Sequence, residues 1–330
     1  MTQFGDDELP VPPRIPSASL DKKAILSRVG FGSCYVPQFE KAHVWNAIRA
    51  ARPDAFLFIG DNVYQSEENG RPQLLELRAA YAALAEDRPF AALREATPIL
   101  PTWDDHDYGM NDAGAEFPAR KESEALFKDV WAIPTSDARR IREGVYFHRT
   151  VGPAGKRVQL ILLDTRYFRT KSDMLGAKQW SWLEKVLLEE AEIRILASSI
   201  PLLSKSEGGE SWNLWPQERK RLFELINDTR VNGLVIVSGD SHFGAFYLAG
   251  DAGSYALNEL TSSSLNFPMP ENAQSPPGPP DAARDGAVFY PANFGIVRIE
   301  WSAQTVWLEL NDSAGVSIRS KPLAFAELRP

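Results

Sequence analysis

The stretch Phe56-Leu57-Phe58-Ile59-Gly60-Asp61-Asn62-Val63-Tyr64 decides how the rest of the chain is read. Four consecutive apolar residues without polar relief predict a strand covered on both faces, the pattern of a parallel sheet held between layers. Gly60 permits a sharp turn at the strand's end. Asp61 and Tyr64 are therefore expected to face one point outside the carboxyl edge of the sheet, where such sheets bind ligands.

Upstream, Ala24–Cys34 reads as a strand and Glu40–Ala51 has apolar residues at helical spacing. With the opening stretch they make a β-α-β unit of parallel strands. Downstream, Arg71–Arg94 is rich in Ala, Leu, Arg and Glu and predicts one helix, leading to a strand, Thr97–Trp103, that ends in Asp104-Asp105-His106-Asp107. Gly109–Pro118 is turn-rich, and Lys121–Trp131, Gln179–Glu190 and Gln217–Asn227 read as helices. Further strands are expected at Tyr146–Val151, Arg157–Leu163, Ile193–Ser199, Leu234–Val237 and Leu257–Leu265, with a closing antiparallel hairpin from Phe294–Trp301 and Thr305–Asn311. Phe267–Pro280 is Pro-rich and reads as a surface loop. No repeat of fixed period and no convincing linker is present, so the expectation is an extended arm over 1–23 and a single domain over 24–330.

The chain has 330 residues, 44% hydrophobic and 24% charged, ordinary for a globular enzyme with a sizeable core. A net charge of −8, with no Lys/Arg cluster to overcome it, argues against nucleic acid as the main partner. No apolar run approaches the length of a membrane span. The amino terminus lacks a basic segment followed by an apolar one, so the expected location is cytoplasmic, or periplasmic or secreted if a leader precedes these residues. One cysteine, Cys34, excludes an intrachain disulfide and leaves a core residue, a ligand or a nucleophile. Nothing in the sequence signals an oligomeric state.

Five apolar strands end in groups that can coordinate or polarise: Cys34, Asp61 with Tyr64, Asp104 to Asp107, Asp164 with Arg166, and Asp240 with His242. Carboxylates gathered at one sheet edge repel one another, so the cluster is costly unless cations neutralise it. A site with more than one metal is the economical explanation.

The motifs FGSC (31–34), GDNVY (60–64), WDDHD (103–107), DTR (164–166), ESWN (210–213) and GDSH (239–242), in this order, resemble the PhoD-like alkaline phosphatases and phosphodiesterases, a branch of the calcineurin-like metallophosphoesterases. The resemblance runs from about Val29 to His242. It implies an α/β fold, a four-layer α/β/β/α sandwich of two mixed β-sheets flanked by helices. It also implies a two-metal site, Fe3+ with Ca2+ favoured and Zn2+ or Mn2+ as alternatives. Carried over, the iron-like position takes Cys34, Asp61, Tyr64 and Asp240, Asp61 bridges, and the second metal draws on Asn111 and Glu210. Thiolate and phenolate suit a transition metal, and carboxylate and amide oxygens a harder ion, which agrees. Two departures stand out: Glu210 where the family pattern would have Asp, and Asn213 where it would have an acid.

The expected function is metal-dependent hydrolysis of small-molecule phosphoesters, monoesters, diesters or both, by activated water. Arg166 is expected to clamp the phosphoryl group, Asp105 to face the site, and His106 or His242 to move the proton. Asp104 is expected to be structural. Two other readings remain open: a cysteine hydrolase with Cys34 as nucleophile and His106 or His242 as base, and a non-catalytic metal- or ligand-binding protein on the same scaffold.

Overall fold

The apolar run that opens the reading is a strand buried at every residue. In the computed structural model, which describes residues 11–39, 42–65, 70–250, 252–275 and 278–330 (42 and 43 by backbone alone), β1 (Arg28–Gly32), β2 (Ala55–Ile59) and β3 (Ile99–Thr102) pair in parallel. Side chains alternate across a strand. Ala55, Leu57 and Ile59 therefore enter one core, with residues of the second sheet, while Phe56 and Phe58 enter another with Trp45, Phe90 and Trp131. That second core is closed by α1 (Ala42–Ala51), α2 (Leu75–Ala85), α3 (Arg88–Ala96), the single turn α4 (Asp105–Tyr108) and α5 (Arg120–Val130).

The second sheet comprises β4 (Phe147–Val151), β5 (Val158–Leu162), β6 (Ile193–Ser198), β7 (Leu234–Ser238), β8 (Gly244–Ala249) and β9 (Leu257–Ser262), in the order β4-β5-β6-β7-β9-β8. Its strands β5, β6, β7 and β9 are parallel, with β4 and β8 antiparallel at the edges. Helices α6 (Gly176–Leu187) and α7 (Pro216–Asp228) pack on it through Trp180, Leu183, Leu222 and Ile226. The first sheet is completed by β10 (Asn293–Glu300), β11 (Thr305–Asp312) and β12 (Ser317–Ala324), in the order β12-β11-β10-β1-β2-β3. Two mixed six-stranded sheets with helices outside each make the expected α/β/β/α sandwich.

Three elements differ from expectation. The helix expected over Arg71–Arg94 breaks at Asp87, whose carboxylate caps α3 through Phe90 N, with Pro89 set in the first turn. The closing hairpin is a three-stranded meander. Its third strand, β12, is a largely exposed edge carrying Arg319, Lys321 and Pro322, too polar to announce itself. β8 follows the GDSH tip so closely that it reads as part of the loop. Of the arm expected over 1–23, residues 1–10 lie outside the described residues. The part that follows lies along α3 and α5, Ile15 N donating to Val130 O at 2.6 Å and Ala18 N to Arg94 O at 2.8 Å. The helix expected from Glu40 is described from Ala42 onward. No described helix is long and apolar enough to cross a membrane.

Candidate metal centre

The parallel strands deliver their tips to one edge with unusual backbone. Cys34, Asp61, Asp240 and His242 all have positive φ, at 58°, 47°, 68° and 57°. Each such non-glycine residue costs about 1–3 kcal/mol and persists only where its surroundings over-determine it. At the tip of β2 the restraint is visible. Asp107 accepts from Asp61 N at 3.2 Å, Asn62 N at 3.3 Å, Asp104 N at 2.6 Å and the Asn62 side-chain amide. Gly60, at φ 108°, has no room for a side chain, since a Cβ there would sit 2.6 Å from that of Asp104.

These backbone turns aim four unlike donors at one point. Tyr64 donates its hydroxyl to Asp61 Oδ2 at 2.6 Å, and the buried Cys34 Sγ lies 3.5 Å from the same oxygen. His242 Nε2 is 3.4 Å from the Tyr64 hydroxyl. The other ring nitrogen, Nδ1, lies 2.7 Å from the carbonyl oxygen of Phe267 and so carries the proton, leaving an electron pair on Nε2. Ser263 Oγ lies 3.2 Å from Cys34 Sγ and accepts from His242 N at 2.9 Å. Among the described residues, the acidic, thiol and imidazole groups whose ligand atoms lie within 4.8 Å of one another are Cys34–Asp61–His242 and Asp61–Asp104–Asp105.

The protein alone opposes charge here. Burial, then the charge of Asp61, pushes the Cys34 thiol well above its ordinary value. Burial and then Asp105, Asp104 and Asp107 push Asp61 up, and burial followed by Asp61 and Cys34 does the same to Tyr64. Asp240 is raised by burial and by Asp104, and His242 is lowered by burial. A bound cation would reverse the rise in the four acids and favour the same neutral His242 that burial favours, and a soft thiol, a phenol, a carboxylate and an imidazole together fit a transition metal.

Behind this point lies an ionic layer centred on Arg166, which is fully buried. It pairs with Asp104 and with Glu210, both at 2.5 Å, and approaches Asp105 at 3.9 Å. Arg169 holds the other oxygen of Glu210 at 2.6 Å. Burial lifts Asp104 to about 6 against the pull of Arg166, whereas Arg166 and His106 overcome burial and hold Asp105 at about 2. Asp105 also accepts from His106 N at 2.9 Å and Asp112 N at 2.8 Å. Asp164 is structural: it accepts from the Trp103 indole at 2.8 Å and from the amides of Val145, Arg166 and Tyr167.

A cleft of about 540 Å³ opens over the centre, lined by Asp61, Asp105, His106, Asn111, Glu210, Asp240 and His242 among others. Of the residues singled out in the sequence, Cys34, Asp61, Tyr64 and His242 converge. Asp240, Glu210 and the exposed Asn111 line the cleft outside the two tight groups. The His106 ring stacks on Tyr64 with centroids 4.3 Å apart. Arg166, expected as a phosphate clamp, is turned inward, because Asp104 and Glu210 take its guanidinium. A buried thiol raised in pKa is the reverse of an activated nucleophile, which weighs against the cysteine-hydrolase reading. Sequence reasoning missed two contributors, Arg169 and Ser263, and named Asp107 without its role. Asp107 and Arg169 stood within or beside recognised motifs, and Ser263 lay in the serine run after β9.

Residues 29–310 match the family model described as PhoD-like phosphatase. Among solved structures, the chain is similar to a structure of PhoD, with 17% identity and a TM-score of 0.70, covering 94% of this chain and 70% of that one. It is also similar to the purple acid phosphatase PPD1 from seeds of yellow lupin, Lupinus luteus, with 11% identity and a TM-score of 0.63, covering 93% of this chain and 55% of that one. At these identities the structural likeness speaks to the fold. No curated protein sequence matches the chain.

Proposed function

We propose, from the premise that the chain belongs to the PhoD-like phosphatase family and is a metal-dependent phosphoesterase, that it hydrolyses small-molecule phosphoesters with two unlike metal ions held at the strand tips. The observation that carries this is the convergence of Cys34, Asp61 and His242, with Tyr64 bonded to Asp61, in a buried cluster that resists charge without a cation.

Cys34, Asp61, Tyr64 and Asp240, joined by His242, would hold the first ion, with Fe3+ favoured. Asp61 would bridge to a harder second ion, Ca2+ favoured and Zn2+ or Mn2+ as alternatives, drawing on Asn111, Glu210 and Asp105. When bound, the ions polarise the phosphoryl oxygens and lower the pKa of the attacking water. The chain's own residues do the rest. Asp107 fixes the turn that presents Asp61, and the Phe267 carbonyl fixes the His242 tautomer. Arg166 and Arg169 hold Glu210 and balance the carboxylates, so Arg166 acts as a positioning residue. His106, at the cleft wall with its ring against Tyr64, delivers a proton to the leaving oxygen. Residues 24–330 act as one domain, with the described part of the arm, residues 11–23, packed against it.

Elemental analysis of untreated protein, together with turnover of p-nitrophenyl phosphate and bis-p-nitrophenyl phosphate, tests this reading. Asp61→Ala should lose metal and turnover together. Full turnover by a metal-free Asp61→Ala protein would end the proposal.

A further inference from the structure

We propose that a chamber opening off the cleft beside Asp240 receives the ester substituent of the substrate, and that it selects a neutral aromatic group of one or two rings. This rests on the phosphoesterase reading of the centre and adds a substrate class to it.

The chamber has a volume of about 240 Å³, and Glu210, Asp240, Ser241 and Met269 line both it and the cleft. A group bonded to a phosphorus atom over the centre therefore reaches it directly. Its walls are Phe243, Tyr247 and Tyr290, all buried, with Phe243 and Tyr290 edge to face at 6.0 Å. Such an arrangement offers an aromatic guest both faces and edges. Volume sets the size: an apolar cavity of about 150 Å³ admits benzene, so this chamber has room for a substituted ring or a fused pair.

The charges nearby set the polarity. Asp281 is spent on the Ser204 hydroxyl at 2.6 Å and on the amides of Lys205 and Ala283 at 3.0 and 2.9 Å. Arg284 donates to the carbonyls of Pro279 and of Gly286. Both ions serve the loop around them, and neither is aimed at an occupant of opposite charge. Adjoining the cleft at Asp112 and Glu210, a wider hollow of about 620 Å³ carries Lys171, Arg169, Glu116 and Asp112, a polar surface suited to a solvated group. The two hollows are chemically unlike, which orients the ester.

The outer wall is the Pro-rich loop that the sequence offered as mere surface. The same loop gives the Phe267 carbonyl to His242 Nδ1, and its Met269 N donates to His242 O at 2.9 Å. Pocket and centre are thus built on one segment. In the reaction, the oxygen of water bonds to phosphorus, the bond from phosphorus to the aryl oxygen breaks, and that oxygen departs with a proton into the chamber.

Ala273 lines the chamber from its exposed rim and lies apart from the candidate metal residues. Ala273→Trp should lower kcat/KM for 1-naphthyl phosphate at least tenfold, chiefly through KM, and leave glycerol 2-phosphate within twofold. Phe243→Leu, which keeps most of the volume but removes the aromatic wall, should act in the same direction. Binding of 1-naphthol alone, followed by calorimetry, reads the chamber without hydrolysis and should weaken by a similar factor in both variants. Equal losses on both esters, or no loss with either variant, would overturn the assignment, as would failure of wild-type protein to bind 1-naphthol. Wild-type protein that binds 1-naphthol yet turns over no phosphoester with metal restored would instead overturn the phosphoesterase reading and leave the chamber as an aryl site.

Discussion

Replacing Asp107 with alanine isolates what holds the strand-tip turn, because this residue is not among those lining the cleft and belongs to neither tight donor group. The side chain is fully buried and accepts four hydrogen bonds, two on Oδ1 from Asp61 N and Asp104 N and two on Oδ2 from the backbone and side chain of Asn62. A hydrogen bond to a charged group is worth about 1.5–3 kcal/mol. The contacts to Asp61 N and Asn62 N, at 3.2 and 3.3 Å, sit at the long end, so the two shorter contacts dominate and the loss is about 3–5 kcal/mol, the range for breaking a buried network. Unfolding entropy of about 2.1 cal/mol/K per residue over 330 residues gives about 0.7 kcal/mol/K. The melting temperature should therefore fall by about 4–7 °C. Calorimetry on chelator-treated wild type and variant measures this loss free of bound metal. Asp107→Asn keeps the acceptor toward Asp61 and Asp104 but turns a donor toward Asn62, so it should lose about half as much. With Asp61 no longer held in its left-handed turn, metal affinity should drop about 10–100-fold in Asp107→Ala. A variant that melts within 1 °C of wild type and keeps its full metal content would refute this account of the turn.

Three other outcomes are expected. Tyr64→Phe removes the phenol that lies 2.6 Å from Asp61 Oδ2; if tyrosinate binds iron, the purified variant should be colourless, and unchanged visible absorption would exclude that bond. His106→Ala should lower kcat on alkyl phosphates by about 10²–10⁴-fold and much less on p-nitrophenyl phosphate, whose phenolate leaves without a proton; equal losses on the two would remove His106 as the acid. Asp137 is held below the usual carboxylate range because hydrogen bonds and charge from Arg139, joined by Arg149, outweigh burial. Its folded pKa is depressed, so its contribution is full above the unfolded value of about 3.9 and is lost as pH falls below it. Urea melts of wild type and Asp137→Asn should differ at pH 6 and converge toward pH 2, and a gap that does not change with pH would contradict the linkage.

The fold was legible wherever a strand was covered on both faces. β2, β5, β6 and β7 are buried at every residue and mostly apolar because helices and a second sheet leave them no wet side, and such runs stand out in any window. Edge strands are less legible. β12 has one solvent-facing side and an unpaired edge, so its composition is that of a loop. The single helix expected over Arg71–Arg94 failed for a local reason, since the cap at Asp87 and the proline behind it outweighed the helix formers on either side.

At the site, residue types and their strand-tip positions were set by the sequence itself. A glycine before Asp61, aspartates after β3 and a GDSH after β7 lie next to strands whose apolar runs locate them, and parallel strands bring their tips to one edge. Which of those donors meet was decided only in three dimensions. His242 joins Cys34 and Asp61 because its own left-handed backbone and the carbonyl of distant Phe267 turn its ring that way. Arg166 faces inward because Asp104 and Glu210, on separate segments, compensate its buried charge. Side-chain direction and charge pairing depend on neighbours remote in the chain, and local pattern carries no record of them.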